Sequence, residues 1–137
     1  MKVFKTAIIA IAVITLYSFT NNKPKTCYQV VVEILTTSKR YKQLTKGLYE
    51  RVVKNGGTSY GIMLEGSPNP KQDTAMEYSK TYDFNLHESY ADREPVIARF
   101  TFDKKKRQLY EYDAVEGELK AIDFNKKLLL ELDKACK

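Results

Sequence analysis

The chain predicts an α+β domain with a long N-terminal helix, an antiparallel meander of four or five strands and a C-terminal helix. Three observations carry that expectation. Apolar residues between Val30 and Val52 recur every three or four positions, as one helical face requires. From Tyr82 to Ala114 the pattern becomes apolar/polar alternation with short polar breaks, which suits half-buried strands joined by hairpins. From Asn125 to Cys136 helical spacing returns through Leu128, Leu129 and Leu132.

In chain order, Lys2 and Lys5 precede an apolar run from Ala7 to Phe19 and the sequence then turns polar, the shape of a secretory signal peptide. The run is shorter than the roughly 20 apolar residues of a permanent membrane helix. Residues 1–20 are therefore expected to be a leader and 21–137 a single exported domain, periplasmic or secreted, with no permanent span once the leader is removed. Small residues at Ser18 and Thr20 place cleavage near Asn21. Acylation of Cys27 is the competing reading, but Pro24, Lys25 and Thr26 lack the small, apolar pattern that lipid attachment follows.

Helical spacing runs from Tyr28 to Lys54 through Val30, Ile34, Tyr41, Leu44, Leu48 and Val52. Val30-Val31-Val32 is β-branched and also suits a strand, and Thr37 or Ser38 could cap a shorter helix. Asn55-Gly56-Gly57 ends the helical stretch. Ser59–Glu65 reads as a strand, and Gly66-Ser67-Pro68-Asn69-Pro70 as the start of a loop, because proline cannot donate to a ladder.

The following strands share one apolar face: Tyr82, Phe84 and Leu86; Val96, Ala98, Phe100 and Phe102; Tyr110, Tyr112 and Ala114. Breaks at Ala91–Pro95 and Asp103–Arg107 fit hairpins. Centring those loops puts Leu86, Phe100 and Tyr110 in one row and His87, Arg99 and Glu111 in a row on the other face. A brief strand, Glu118–Ile122, precedes the C-terminal helix, which Asp123 or Asn125 could cap. A helix followed by a meander is the element order of cystatin-like and NTF2-like folds, an analogy of topology that implies nothing about activity.

The formal charge is +6, and a leader removed with Lys2 and Lys5 takes two of those charges away. So small a balance, with Lys and Glu interspersed, supports solubility and argues against nucleic acid as a partner. Cys27 and Cys136 are expected to form a disulfide that pins the two ends of the exported domain together, with two unpaired thiols as the alternative. One histidine and two distant cysteines supply no zinc ligand set, and no calcium loop or phosphate cradle is present, so no metal or cofactor is expected.

Several features invite a chemical reading. The row His87, Arg99 and Glu111 joins a base, a guanidinium and a carboxylate, but it fits a network of surface charge pairs better than a catalytic site. Ser89 shares that face without the strained turn that presents an acyl-transfer nucleophile. Lys104-Lys105-Lys106-Arg107 suits the charged tip of a hairpin more than an anion site. The tyrosines suit a core with wet hydroxyls, leaving Tyr78 and Tyr90 as partner contacts outside the core register. Ser67, Pro68, Asn69 and Pro70 form a candidate recognition loop, since two prolines lower the entropic cost of binding, although a plain connector between two strands accounts for them as well.

These features favour a small non-enzymatic binding, inhibitor or accessory module whose partner is another exported protein or a small ligand. The alternative is a pocket for a small apolar ligand between helix and sheet, or acid/base chemistry through His87.

Overall fold

The computed structural model describes residues 23–137; the expected leader over residues 1–20 and its expected cleavage near Asn21 lie outside the described residues. Six strands form one mixed sheet in the order β2-β1-β3-β4-β5-β6, and helices lie against one of its faces. No described helix is long and apolar enough to cross a membrane.

The expected long helix is three shorter ones. The first, α1 (Cys27–Thr37), opens on a reciprocal cap: the Thr26 hydroxyl accepts from the Gln29 backbone N–H at 3.2 Å, and the Gln29 side chain accepts from the Thr26 N–H at 2.9 Å. Its buried face is Val30, Val31, Ile34 and Leu35. Ser38 then breaks the helix. It takes an extended backbone, is almost fully buried, donates to the Leu35 carbonyl at 2.7 Å and accepts from the Tyr41 N–H at 3.2 Å. One side chain thus closes α1 and caps α2 (Lys39–Thr45). A second break at Lys46-Gly47 uses Gly47 at φ +65°, where a side chain would be strained, to launch α3 (Leu48–Lys54). Asn55-Gly56-Gly57 terminates α3, with the Gly57 N–H reaching the Val52 carbonyl at 2.8 Å.

Strand β1 runs from Ser59 to Ser67, two residues past its expected end, because Gly66 and Ser67 pair in parallel with the two-residue strand β2 (Glu77–Tyr78). Between them Pro70 occupies the first turn of a short helix, α4 (Pro70–Asp73), where its missing N–H costs nothing. The parallel pair makes the sheet mixed instead of wholly antiparallel.

The meander comprises β3 (Tyr82–Ser89), β4 (Val96–Asp103), β5 (Gln108–Asp113) and β6 (Glu118–Ile122), all antiparallel neighbours. Lys104–Arg107 form the β4–β5 turn as expected, and the Asp103 carboxylate accepts from the Lys105 and Lys106 N–H groups at 2.9 and 3.0 Å. The register differs from expectation. Phe102 pairs with Leu109 and Phe100 with Glu111, so β5 turns Leu109 inward and shows Tyr110 and Tyr112 on the opposite face. A further shift between Leu86 and His87 pairs Leu86 with Ala98 and His87 with Val96.

The core is filled by side chains from both layers. Tyr28 stacks on Phe84 and Tyr41 lies tilted against Phe100, each pair with ring centroids 6.4 Å apart. Helix α5 (Leu128–Ala135) adds Leu128 and Leu132, while Phe124 meets Phe102 edge-on at 6.0 Å. A disulfide joins Cys27 to Cys136 across 109 residues of sequence and ties the start of α1 to the end of α5. Beside it Lys25 bridges Glu33 and Glu131, and Arg107 takes both oxygens of Asp133 at 2.5 and 3.1 Å.

Candidate functional site

Because one sheet face carries the helices, the other is the surface that no described element covers. Alternation along the strands puts Met63, Glu65, Asp83, Asn85, Arg99, Thr101, Tyr110, Tyr112 and Leu119 there. Two rows cross it. Met63 pairs with Asn85 and Asn85 with Arg99; the β4–β5 register continued by one residue sets Tyr112 next, and Tyr112 pairs with Leu119. In the adjacent row Asp83 pairs with Thr101, Thr101 with Tyr110 and Tyr110 with Ala121.

The acids on this face are already engaged. Asp83 accepts from the Thr81 and Thr101 hydroxyls at 2.8 and 2.9 Å. Glu65 sits at the β1 irregularity between Leu64 and Gly66 and accepts from the Asn85 amide, which is itself buried. Gly66 is required by close approach: a Cβ there would stand 2.7 Å from the Ser79 Cβ and 2.9 Å from an Asp83 carboxylate oxygen.

Around these groups the face is apolar and open. Ile97, Tyr112 and Leu119 retain 40, 38 and 49% exposure, high for large apolar side chains that share one surface. A cleft of about 190 Å³ runs among Glu65, Asn85, Arg99, Tyr112 and Leu119, and one of about 260 Å³ lies between Ile97, Arg99, Tyr112 and Ala114. Arg99 borders both. A larger cleft of about 470 Å³ lies between residues 23–25 and α5; its charged walls include Lys25 and Glu131, already paired with each other.

The expected row of His87, Arg99 and Glu111 is not brought together. Arg99 faces Asn85, and His87 pairs with Gly61 and Val96. Glu111 lies on the helix side, where the Arg40 guanidinium holds both its oxygens at 2.6 and 2.9 Å. That ion pair raises the Arg40 pKa, the hydrogen bond to Glu111 outweighing partial burial. The His87 Nδ1 is buried without a hydrogen-bond partner, and the ring edge sits where a Gly61 Cβ would be 3.5 Å from Nε2. Ser89 pairs with Ser59 on β1.

The proline segment is tied inward. Ser67 is fully buried, donates to Asp73 at 2.7 Å and accepts from the Asn69 N–H at 2.9 Å; Pro68 and Pro70 are half-buried and only Asn69 is exposed. Tyr78 stands exposed on edge strand β2 beside Met76, whereas Tyr90 donates to Glu88 at 2.8 Å under the Arg93 guanidinium, 4.4 Å from its ring centroid. Arg107, one of the four hairpin cations, is committed to Asp133. Among the described residues no group of three His, Cys, Asp or Glu side chains is arranged to hold a metal ion.

The sequence contained signals for the open face that the expected register obscured. Leu109 is the only aliphatic residue in Gln108–Asp113, so giving it to the core assigns Tyr110 and Tyr112 to the outside. The Glu65–Asn85 pair left no local signal. No known protein family matches the chain, and neither does any characterised protein or solved structure.

Proposed function

We propose that this chain is a small exported, non-enzymatic binding module, an inhibitor or accessory protein of a periplasm or the extracellular space, that holds a partner protein on its open sheet face. The observation that carries the reading is the exposure of Ile97, Tyr112 and Leu119 around Arg99 on a rigid sheet whose other face is occupied. Tyrosine and arginine beside aliphatic side chains are the residue types that dominate binding energy at protein interfaces. A leader of signal-peptide shape and the Cys27–Cys136 disulfide support export, since such bonds persist in oxidising compartments.

Surface recognition has more support than a pocket beneath the helices. The space between helices and sheet is occupied by Val30, Ile34, Leu35, Phe84, Leu86 and Phe100, each at most 1% exposed. Acid/base chemistry through His87 has less support, because Glu111 lies on the helix side with Arg40 and Arg99 pairs with Asn85 instead of His87.

Capture from the exported fraction of the native host tests the reading when two doubly substituted baits are compared. Tyr112→Ala with Leu119→Asp should lose a partner that wild type retains, while Tyr49→Ala with Leu130→Asp, on exposed helical positions, should keep it. Equal capture by both variants would refute the assignment of this face.

A further inference from the structure

We infer that Arg99 anchors a carboxylate of the partner, and that the segment it binds is a peptide bearing Asp or Glu next to an aromatic or aliphatic side chain. The inference rests on the open face being the binding surface and names the chemistry it selects. Its basis is a contrast among the arginines. Arg40 and Arg107 each grip a carboxylate with two nitrogens, Arg93 reaches Asp92 at 3.2 Å, and Arg51 donates to the Lys46 carbonyl at 2.9 Å. Arg99 is the remaining arginine, and among the described residues no carboxylate lies within 4 Å of its guanidinium.

The neighbouring acids cannot readily be recruited. Glu65 is engaged by the buried Asn85 amide and Asp83 by two threonine hydroxyls. The face therefore satisfies its own negative groups and leaves a planar, permanently charged donor unspent. A guanidinium presents parallel N–H groups that match a carboxylate two-to-two, a geometry an ammonium does not offer. Ile97 and Tyr112 line one cleft that Arg99 borders, Tyr112 and Leu119 the other. An acid placed on Arg99 thus brings the adjacent side chain of the same peptide onto apolar surface.

Selection of a random linear peptide display library on the full, disulfide-intact protein tests this. Enriched peptides should carry Asp or Glu beside Phe, Tyr, Leu or Ile. Replacing that acid by its amide should weaken binding about tenfold, within the range of a hydrogen bond to a charged group. Arg99→Gln should abolish the acid preference, and Arg99→Lys should recover it only in part; unchanged urea midpoints for both variants verify that the fold is kept.

Enriched peptides that are released by Tyr112→Ala but show no acid preference would overturn the inference while leaving the open face as the binding surface. Peptides unaffected by either Arg99→Gln or Tyr112→Ala, or no enrichment at all, would also overturn it. The fate of the wider proposal is decided separately by the two-bait comparison in host material.

Discussion

Replacing Leu109 and Tyr110 one at a time discriminates between the two ways β5 can face the core. Leu109 is fully buried against Phe102 and Ile122, so Leu109→Ala removes three buried carbons from a site walled by strands. Transfer and cavity costs together come to about 3 kcal/mol. Tyr110 lies half-buried on the open face, and Tyr110→Ala should cost under about 1 kcal/mol. With a urea m-value of roughly 1.5 kcal/mol/M for a domain of this size, the midpoint falls about 2 M for the first change and less than about 0.7 M for the second. Equilibrium urea unfolding followed by circular dichroism reads both. Leu109→Val, at about 1 kcal/mol, provides a milder form of the same change should the alanine variant not fold. A Tyr110→Ala loss equal to or larger than the Leu109→Ala loss would mean that the tyrosines face inward, and would remove the open face as described.

Two further outcomes follow from the closure of the core. Replacing both Cys27 and Cys136 by Ser opens a loop spanning 109 positions and should lower stability by roughly 4–5 kcal/mol in the chain-entropy account, measurable in the same urea titration; a loss below about 1 kcal/mol would show that the α1–α5 contacts hold without it. Burial, with a smaller contribution from the charge of Asp73, pushes the Tyr82 hydroxyl up to about 12 from 10. The folded chain then keeps this proton more tightly than the unfolded one, so the contribution is fully present below about pH 10 and disappears as pH rises toward about 12. Tyr82→Phe should flatten the decline in urea midpoint across that interval, and an unaltered decline would contradict the burial of the hydroxyl.

What the sequence made legible was local. The even-numbered face of β3, the Lys104–Arg107 turn, the strand Glu118–Ile122 and the paired cysteines all depend on alternation, turn chemistry or compartment, and each is where those rules place it. The face of β5 was not legible, because Tyr110 and Tyr112 satisfy an apolar pattern as well as Leu109 does. Burying Leu109 puts Glu111 on the helix side as well, and there Arg40, 71 residues earlier, meets it with two hydrogen bonds, a long-range contact that no local pattern displays. A one-residue register difference between β4 and β5 puts Tyr112 instead of Glu111 beside Arg99, and a two-residue difference between β3 and β4 pairs Arg99 with Asn85 instead of His87.

The long helix failed for a related reason. Its heptad-like apolar spacing persists through Ser38, but a serine able both to donate to Leu35 and to accept from Tyr41 lets the chain turn around the core without leaving the break unsatisfied. The two-residue β2 is too short to show any period of its own; it exists because Gly66 and Ser67 extend β1 past the point where Pro68 and Pro70 suggested an end.

The most direct test of the open face as the binding surface is photo-crosslinking with benzoylphenylalanine introduced at Tyr112 or, separately, at the exposed helical position Tyr49. In the exported fraction of the host, Tyr112 should give a discrete crosslinked partner that unlabelled wild-type protein competes away, and Tyr49 should not. A competable crosslink from Tyr49 with none from Tyr112 would place recognition on the helical side and contradict the account.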